Sequence, residues 1–338
     1  MKKYHGVDLH RNSFLNCTLD ARGNEELKTW SINKLKNFAE QLGSEDEVAV
    51  EATGNTHLFC QALKGSGCRV VIVNPHQFKV ISRSVNKTDE NDAKVLARFL
   101  SKDMLPEIRM KNTANKEISS MVQTRDKLVK LRTALKNKVN NLLASYAILI
   151  KRESLSSEKG LRHVLAMSLP RLPRIEVSVL VEQIRSLNES IKELEKAISE
   201  DGEKLKGQKN LTSIKGIGNL GASILMSVIG DINDFANEGK LAAYFGIVPR
   251  VRNSNEHVRH GRITKNGSKL GRTTLIQCAM IAKRYNPYLD SYYQRIKARR
   301  GSGKAIIALA RKLLGIIYKT LKHDLVFEDF PNYQLVKP

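Results

Sequence analysis

Tyr4-His5-Gly6-Val7-Asp8-Leu9, Ser13-Phe14-Leu15-Asn16-Cys17-Thr18-Leu19 and Glu25-Glu26-Leu27-Lys28-Thr29-Trp30-Ser31-Ile32 are three strand-like runs near the start of a 338-residue chain. Asp20-Ala21-Arg22-Gly23-Asn24 carries turn residues between the second and third. The three therefore read as an antiparallel meander. Working outward, a helix is expected at about 33–43, where Leu35, Phe38, Ala39 and Leu42 share one face. Glu47-Val48-Ala49-Val50-Glu51 reads as a fourth strand, 55–65 as a helix, and Arg69-Val70-Val71-Ile72-Val73 as a buried strand. Residues 88–102 read as a helix with Thr88 or Asp89 near its N-cap.

The resulting order, βββαβαβ followed by helices, is the RNase H-like pattern, a mixed sheet with helices on its faces. Pro106 closes this first domain, 1–106. From about 113 to 150 a long basic helix is expected, with Met121, Leu128, Leu135 and Leu142 every seven residues. A second helix at about 175–200 places Val177, Leu180, Ile184, Leu187, Ile191, Leu194 and Ile198 in alternating steps of three and four. Pro170 and Pro173 mark the break between them. Residues 107–204 thus read as an antiparallel coiled-coil arm or oligomerisation element, with an ordinary helical bundle as the alternative. Residues 205–338 read as a helix-rich unit with a loop-like centre at 246–268 and a last amphipathic helix at 303–322. The fold class is α/β plus α.

Lys and Arg number 57 against 34 Asp and Glu, a net charge of +23. A surplus of that size opposes compaction by self-repulsion and calls for a polyanionic partner. It is uneven: residues 205–338 hold 23 Lys/Arg against 8 Asp/Glu, whereas residues 1–105 hold 15 against 13. The C-terminal part is the electrostatic candidate for nucleic acid. No apolar run long enough to cross a membrane and no signal peptide is evident, so a cytoplasmic protein without a membrane partner is expected. The four cysteines, Cys17, Cys60, Cys68 and Cys278, are widely spaced and read as reduced.

The nearly neutral N-terminal domain keeps its acids for chemistry. Asp8 lies on the first strand, Glu51 ends the fourth, and Asp89 and Asp92 share a helix face at i, i+3. In an RNase H-like sheet the first and fourth strands are neighbours, which brings Asp8 and Glu51 side by side. Four converging carboxylates repel one another unless cations sit among them. Hard oxygen ligands suit Mg²⁺ or Mn²⁺, and two such ions serve phosphodiester chemistry. Lys87, beside Asp89, is a candidate phosphate contact or a solvated charge.

Gly6-Val7-Asp8, Glu51-Ala52-Thr53-Gly54, Val73-Asn74-Pro75 and Lys87-Thr88-Asp89-Glu90-Asn91-Asp92-Ala93 resemble the DEDD transposases of bacterial insertion sequences, relatives of the Piv DNA invertase among them. Ile214-Lys215-Gly216-Ile217-Gly218, Tyr244-Phe245-Gly246-Ile247-Val248-Pro249 and Gly261-Arg262-Ile263-Thr264-Lys265-Asn266-Gly267 resemble the family's second transposase domain. The resemblance covers nearly the whole chain, in order. It implies a RuvC-like N-terminal domain, a coiled-coil linker and a C-terminal domain whose serine attacks DNA. The family's serine follows a proline after four residues and precedes glycine. Here Pro249 leads to Ser254 through Arg250, Val251, Arg252 and Asn253, and Asn255 stands in the glycine's place. Ser254 is the nucleophile candidate, with Ser268 its nearest rival. The resemblance also implies a non-coding bridge RNA that pairs with donor and target DNA, leaving the protein to hold backbones.

Seven cations, Arg250, Arg252, Arg259, Arg262, Lys265, Lys269 and Arg272, flank Ser254 with Glu256 the acid among them. They read as phosphate contacts. Arg299 and Arg300 belong to a second basic cluster. Lys215, Gly216 and Gly218 resemble the hairpin of a helix-hairpin-helix, where backbone N–H groups meet phosphate, or else a tight helix turn. A recombinase acting as a dimer or tetramer is the leading expectation. An RNase H-like junction resolvase using metal-activated water alone, and a non-catalytic nucleic-acid-binding protein, are the rivals.

Overall fold

The computed structural model describes residues 2–75, 78, 88–108, 113–254 and 257–337, with the backbone alone at 152, 252–254 and 257–260. Lys87 and Asn255 lie outside the described residues. The chain divides into two compact units, 1–110 and 111–338. Residues 111–204 and 205–338 share the second unit. No helix among the described residues is long and apolar enough to cross a membrane.

Short apolar runs between turn residues build the first unit. Strands β1 (Tyr4–Leu9), β2 (Ser13–Leu19) and β3 (Glu25–Ser31) form the antiparallel meander. A short helix α1 (Leu35–Ala39) leads to β4 (Glu47–Glu51), which pairs parallel with β1. Helix α2 (Thr56–Leu63) returns the chain to β5 (Arg69–Val73), parallel to β4. Helix α3 (Asp89–Ser101) and the two-residue strand β6 (Glu107–Ile108) complete a mixed sheet of order β3-β2-β1-β4-β5-β6. This is the α/β arrangement expected from the sequence.

Because side chains alternate along a strand, the sheet has two different faces. Val7, Leu9, Val48 and Val50 join Phe14, Trp30, Phe38 and Phe59 in one core. The opposite face, with Ala49, Val71 and Val73, takes Leu96 and Leu100 of α3. Burial of each leucine contributes about 1.5–3 kcal/mol. Helix α3 also buries Ala93 and Ala97, completing a 3–4 spaced stripe. Gly6 lets these alanines reach the sheet. A Cβ on Gly6 would stand 2.1 Å from the Ala93 carbonyl oxygen and 2.4 Å from the Ala97 nitrogen.

In the second unit, α4 (Thr113–Ala144) and α6 (Arg171–Gly202) lie side by side, with α5 (Glu158–Leu165) between them in sequence. They run antiparallel: Arg125 bonds Glu195, Arg132 donates to Asn188 at 2.8 Å, and Lys138 meets Glu176 at 2.9 Å. Val177, Ile184, Ile191 and Ile198, seven residues apart, are buried in α6. In α4 the buried residues are Ile118, Val122, Val139 and Leu143, and the expected stripe of Met121, Leu128, Leu135 and Leu142 is half-buried beside them. Helix α4 stops at Ala144 and not near 150. Pro173 lies inside the first turn of α6, where no N–H partner is lost, so the break ends at Pro170.

Ile118, Val122 and Ile198 enter the core of the C-terminal elements. Those elements are α7 (Gln208–Thr212), α8 (Asn219–Ile229), α9 (Glu238–Tyr244), β7 (Pro249–Ser254), β8 (His257–Ile263), α10 (Lys269–Ala282), α11 (Pro287–Lys322), β9 (Val326–Asp329) and β10 (Gln334–Val336). The stretch 246–268, expected as a loop, holds the antiparallel pair β7–β8. The last helix begins at Pro287, well before 303, and breaks at Gly301, whose φ is 76°.

Candidate active site

Strand parity and one glycine assemble the acidic centre. Asp8 lies two residues from Gly6, on the β1 face that α3 covers. Val7 pairs with Val50, so Asp8 and Glu51 stand one residue further along two neighbouring parallel strands. Glu51 shares its strand face with Ala49, again the α3 side. On α3, Asp89 and Asp92 precede Ala93 and Leu96 by four residues and continue the buried stripe toward the helix N-terminus. There the Thr88 hydroxyl accepts from the Asn91 N–H at 3.2 Å, and the helix dipole favours carboxylates.

His10 joins this centre, and the sequence carried no signal for it. Its Nε2 lies 3.3 Å from Asp8 Oδ2 and 3.0 Å from Asp89 Oδ2. Ligand atoms of Asp8, His10 and Asp89 all fall within 4.8 Å of one another. Donors around an octahedral cation with bonds of about 2.1 Å stand roughly 3–4 Å apart, so this set matches the scale of one ion. Glu51 and Asp92 lie on the same face of the sheet but outside that 4.8 Å set. Asp8 is largely covered whereas Asp89 is 65% exposed, which leaves a phosphate a way in.

The surrounding loops are tied down. The side chain of Asn55 donates to the His10 and Arg11 carbonyls at 3.0 and 3.1 Å, fastening the end of β1 to the turn after β4. The Thr56 hydroxyl donates to the Glu51 carbonyl at 2.8 Å and accepts from the Thr53 N–H at 2.7 Å. The run Glu51-Ala52-Thr53-Gly54 is therefore a pinned strand-to-helix turn.

In the second unit, Ser254 is the last residue of β7, paired with His257 of β8. The backbones of Arg252 and Arg259 pair with each other. Arg250, Arg262, Lys265 and Lys269 are exposed. Arg272 is occupied differently: its Nη1 donates to the carbonyls of Phe245 (3.1 Å), Asn266 (3.0 Å) and Gly267 (3.4 Å). Burial pulls this guanidinium below its ordinary pKa. Ser268, the rival serine, caps α10 by accepting from the Gly271 N–H at 3.0 Å. Lys215 and Gly218 are exposed before α8, and Gly216 has a packing reason to be glycine. A Cβ there would stand 2.5 Å from the Ala282 nitrogen. Arg299 and Arg300 are exposed beside the break at Gly301.

Comparison with known proteins identifies the kind of chain that carries this site. A family model of transposases of the DEDD, IS110 type matches residues 5–148. A second, described as Transposase IS116/IS110/IS902 family, matches residues 208–294. Fold, acids and matches together define the class: a transposase, an enzyme that cleaves and rejoins DNA. Within that class, the chain belongs to the DEDD-type insertion-sequence transposases. It is 29% identical over 330 residues to the transposase for insertion sequence element IS1111A of Coxiella burnetii, covering 94% of this chain and 89% of that one. It is 26% identical to the transposase for insertion sequence element IS1328 of Yersinia enterocolitica, over 95% of this chain and 97% of that one. It is also 26% identical to the pilin gene-inverting protein of Moraxella lacunata, over 97% and 98%.

Proposed function

We propose that this transposase joins DNA strands through two centres, an acidic one at Asp8, Glu51, Asp89 and Asp92 and a nucleophilic one at Ser254. The observation that carries the first is the meeting of Asp8 and Asp89 on His10 Nε2 at 3.3 and 3.0 Å, on the sheet face that Glu51 shares. The donor set of two carboxylates, Asp8 and Asp89, with the His10 imidazole fits Mg²⁺ or Mn²⁺, since hard oxygens dominate it and the nitrogen extends its tolerance to Mn²⁺, and Glu51 and Asp92 are proposed to complete it. When bound, such an ion supplies a Lewis acid that neutralises charge developing on the scissile phosphate. The carboxylates orient the phosphate, and His10 Nε2 is placed as a further ligand beside Asp8 and Asp89.

Ser254 is assigned by the family resemblance and supported by the cations around it. In the step proposed, the serine oxygen forms a bond to phosphorus as the bond to the leaving sugar oxygen breaks. The serine proton leaves to a base, and the departing hydroxyl takes one up. The phosphodiester is conserved as a phosphoserine link, ready for the second strand. Arg250, Arg252, Arg259, Arg262, Lys265 and Lys269 are proposed phosphate contacts, and Lys87, Lys215, Gly216, Gly218, Arg299 and Arg300 further ones. Arg272 is proposed to hold the backbone at Phe245, Asn266 and Gly267 under them. The α4–α6 pair is proposed as a coiled-coil arm that joins protomers into a dimer or tetramer. A non-coding guide RNA is the proposed source of sequence choice, consistent with the charge of +23.

The test is Ser254→Ala beside Asp8→Asn in a strand-transfer assay with denaturing gels. Wild type should leave a protease-sensitive protein–DNA adduct. Ser254→Ala should lose both adduct and transfer, and Asp8→Asn should lose transfer. Transfer retained by Ser254→Ala would instead support attack by water alone.

A further inference from the structure

A concave groove of about 1550 Å³ lies in the second unit, walled by α11 on one side and by the base of the β7–β8 pair on the other. Eight of its lining residues are Lys or Arg, and Glu238 is the one acid among them. Such a wall attracts a polyanion. The groove also contains what a phosphate track does not require. Tyr288, Tyr292 and Tyr333 line it together with the apolar side chains of Ile247, Ile296 and Ile307. Tyr288 is 51% exposed and Tyr333 41%.

The tyrosines are held in place. Tyr288 and Tyr292 are one helical turn apart on α11, and Lys312 Nζ, from beyond the break in that helix, lies 5.2 and 5.9 Å from their ring centroids. Tyr333 has φ 60°, a costly conformation for a bulky residue and one that gathers at functional sites. Its ring packs edge-on against Phe327, with centroids 5.1 Å apart. Gly303, in the lining, has open space where a Cβ would be.

We infer that this groove binds an unpaired strand of DNA, with its bases stacked on Tyr288, Tyr292 and Tyr333 and its phosphates on the surrounding cations. Duplex DNA hides its base faces, so exposed rings in a basic channel gain contact only with unpaired bases. The DNA strand that Ser254 would attack is the occupant, because the groove is continuous with that serine's hairpin. Pro249, Gly261, Arg262 and Ile263 line the groove and belong to β7 and β8. Ser254 lies five residues along β7 from Pro249, about 17 Å at the rise of a strand. The choice of strand rests on the Ser254 reading, whereas the stacking chemistry does not.

The test measures binding by full-length protein, using fluorescence anisotropy. The probes are a short labelled oligothymidylate, the matching oligouridylate and a duplex of equal length. Tyr288→Leu keeps bulk and removes the ring. It should weaken oligothymidylate binding about 5- to 100-fold and leave duplex binding within twofold. Tyr288→Phe should bind as wild type. Arg300→Ala should lower the slope of log affinity against log salt by about 0.7 on the single strand. Equal losses on duplex and single strand, no loss with Tyr288→Leu, or a ring-dependent preference for oligouridylate would each overturn the assignment. Polyglutamate displacing the probe equally from wild type and Tyr288→Leu would also overturn it, in favour of a general polyanion surface. Ser254→Ala should bind oligothymidylate as wild type does. If Ser254→Ala transfers strands while the tyrosine dependence stands, the nucleophile reading has failed and the groove has not.

Discussion

Replacing Gly6 with alanine displaces the acidic centre without touching an acid. The added Cβ would stand 2.1 Å from the Ala93 carbonyl oxygen, 2.4 Å from the Ala97 nitrogen and 3.0 Å from the Leu96 Cβ. The two closest atoms are backbone, so no side-chain rotation relieves them. Contact distances of about 3.2 Å or more require α3 to retreat from β1 by roughly 1 Å. Asp89 and Asp92 ride on that helix, and Asp8 stays on the strand. Overpacking of this kind costs about 1–3 kcal/mol of stability. A misplacement of about 1 Å at a reacting centre can cost about 100-fold in rate. Gly6→Ala should therefore stay folded and lose strand transfer about 100-fold. Gly65→Ala serves as the control, since nothing lies within 4 Å of the Cβ it would add. The assay is strand-transfer rate alongside thermal unfolding of both variants. Gly6→Ala protein that transfers strands within threefold of wild type would mean that the seating of α3 on β1 does not set the acidic centre.

Two further outcomes concern buried groups of the same fold. Burial pushes the thiols of Cys17, Cys60 and Cys278 up to about 11, so native protein at neutral pH should resist iodoacetamide at these three sites and be alkylated at all four cysteines once unfolded. Peptide mass mapping reads this, and rapid native labelling of Cys17 would contradict the packing of α3 on the sheet. His5 is buried, and desolvation lowers its pKa in the folded state. The unfolded chain thus binds more protons below the ordinary histidine value of about 6.5, and stability should fall as pH drops through that value. Denaturant melts of wild type and His5→Gln at pH 7.5 and 5.5 measure it, and equal pH dependence in the two would count against this.

The first unit was legible because its strands are short apolar runs bounded by turn residues and its helices carry 3–4 stripes. The strand order alone makes β1 and β4 neighbours and brings Asp8 and Glu51 side by side, whereas their common face toward α3 is seen only in the fold. His10 was not legible: eight histidines are spread along the chain, and nothing in its spacing ties it to Asp89, 79 residues away. The β7–β8 pair was hidden by its composition, since Arg250-Val251-Arg252-Asn253 and Val258-Arg259-His260-Gly261 offer few apolar residues to alternate. Arg272 resembled its neighbouring cations, and only the fold reveals the three carbonyls it serves. Gly216 looked like a phosphate-binding glycine, yet it is close to the backbone of α10. The groove had a trace in sequence, the i, i+4 pair Tyr288 and Tyr292, but Lys312 and Tyr333 reach it only through the fold.

Whether Asp8 and Asp89 hold the proposed divalent cation is read from Mn²⁺ binding to the full-length protein, followed by electron paramagnetic resonance and calorimetry, with Asp8→Asn and Asp89→Asn as variants. Wild type should bind Mn²⁺, and each variant should bind at least about tenfold more weakly while unfolding cooperatively as wild type does. Affinity unchanged in both variants would mean that these two carboxylates hold no ion.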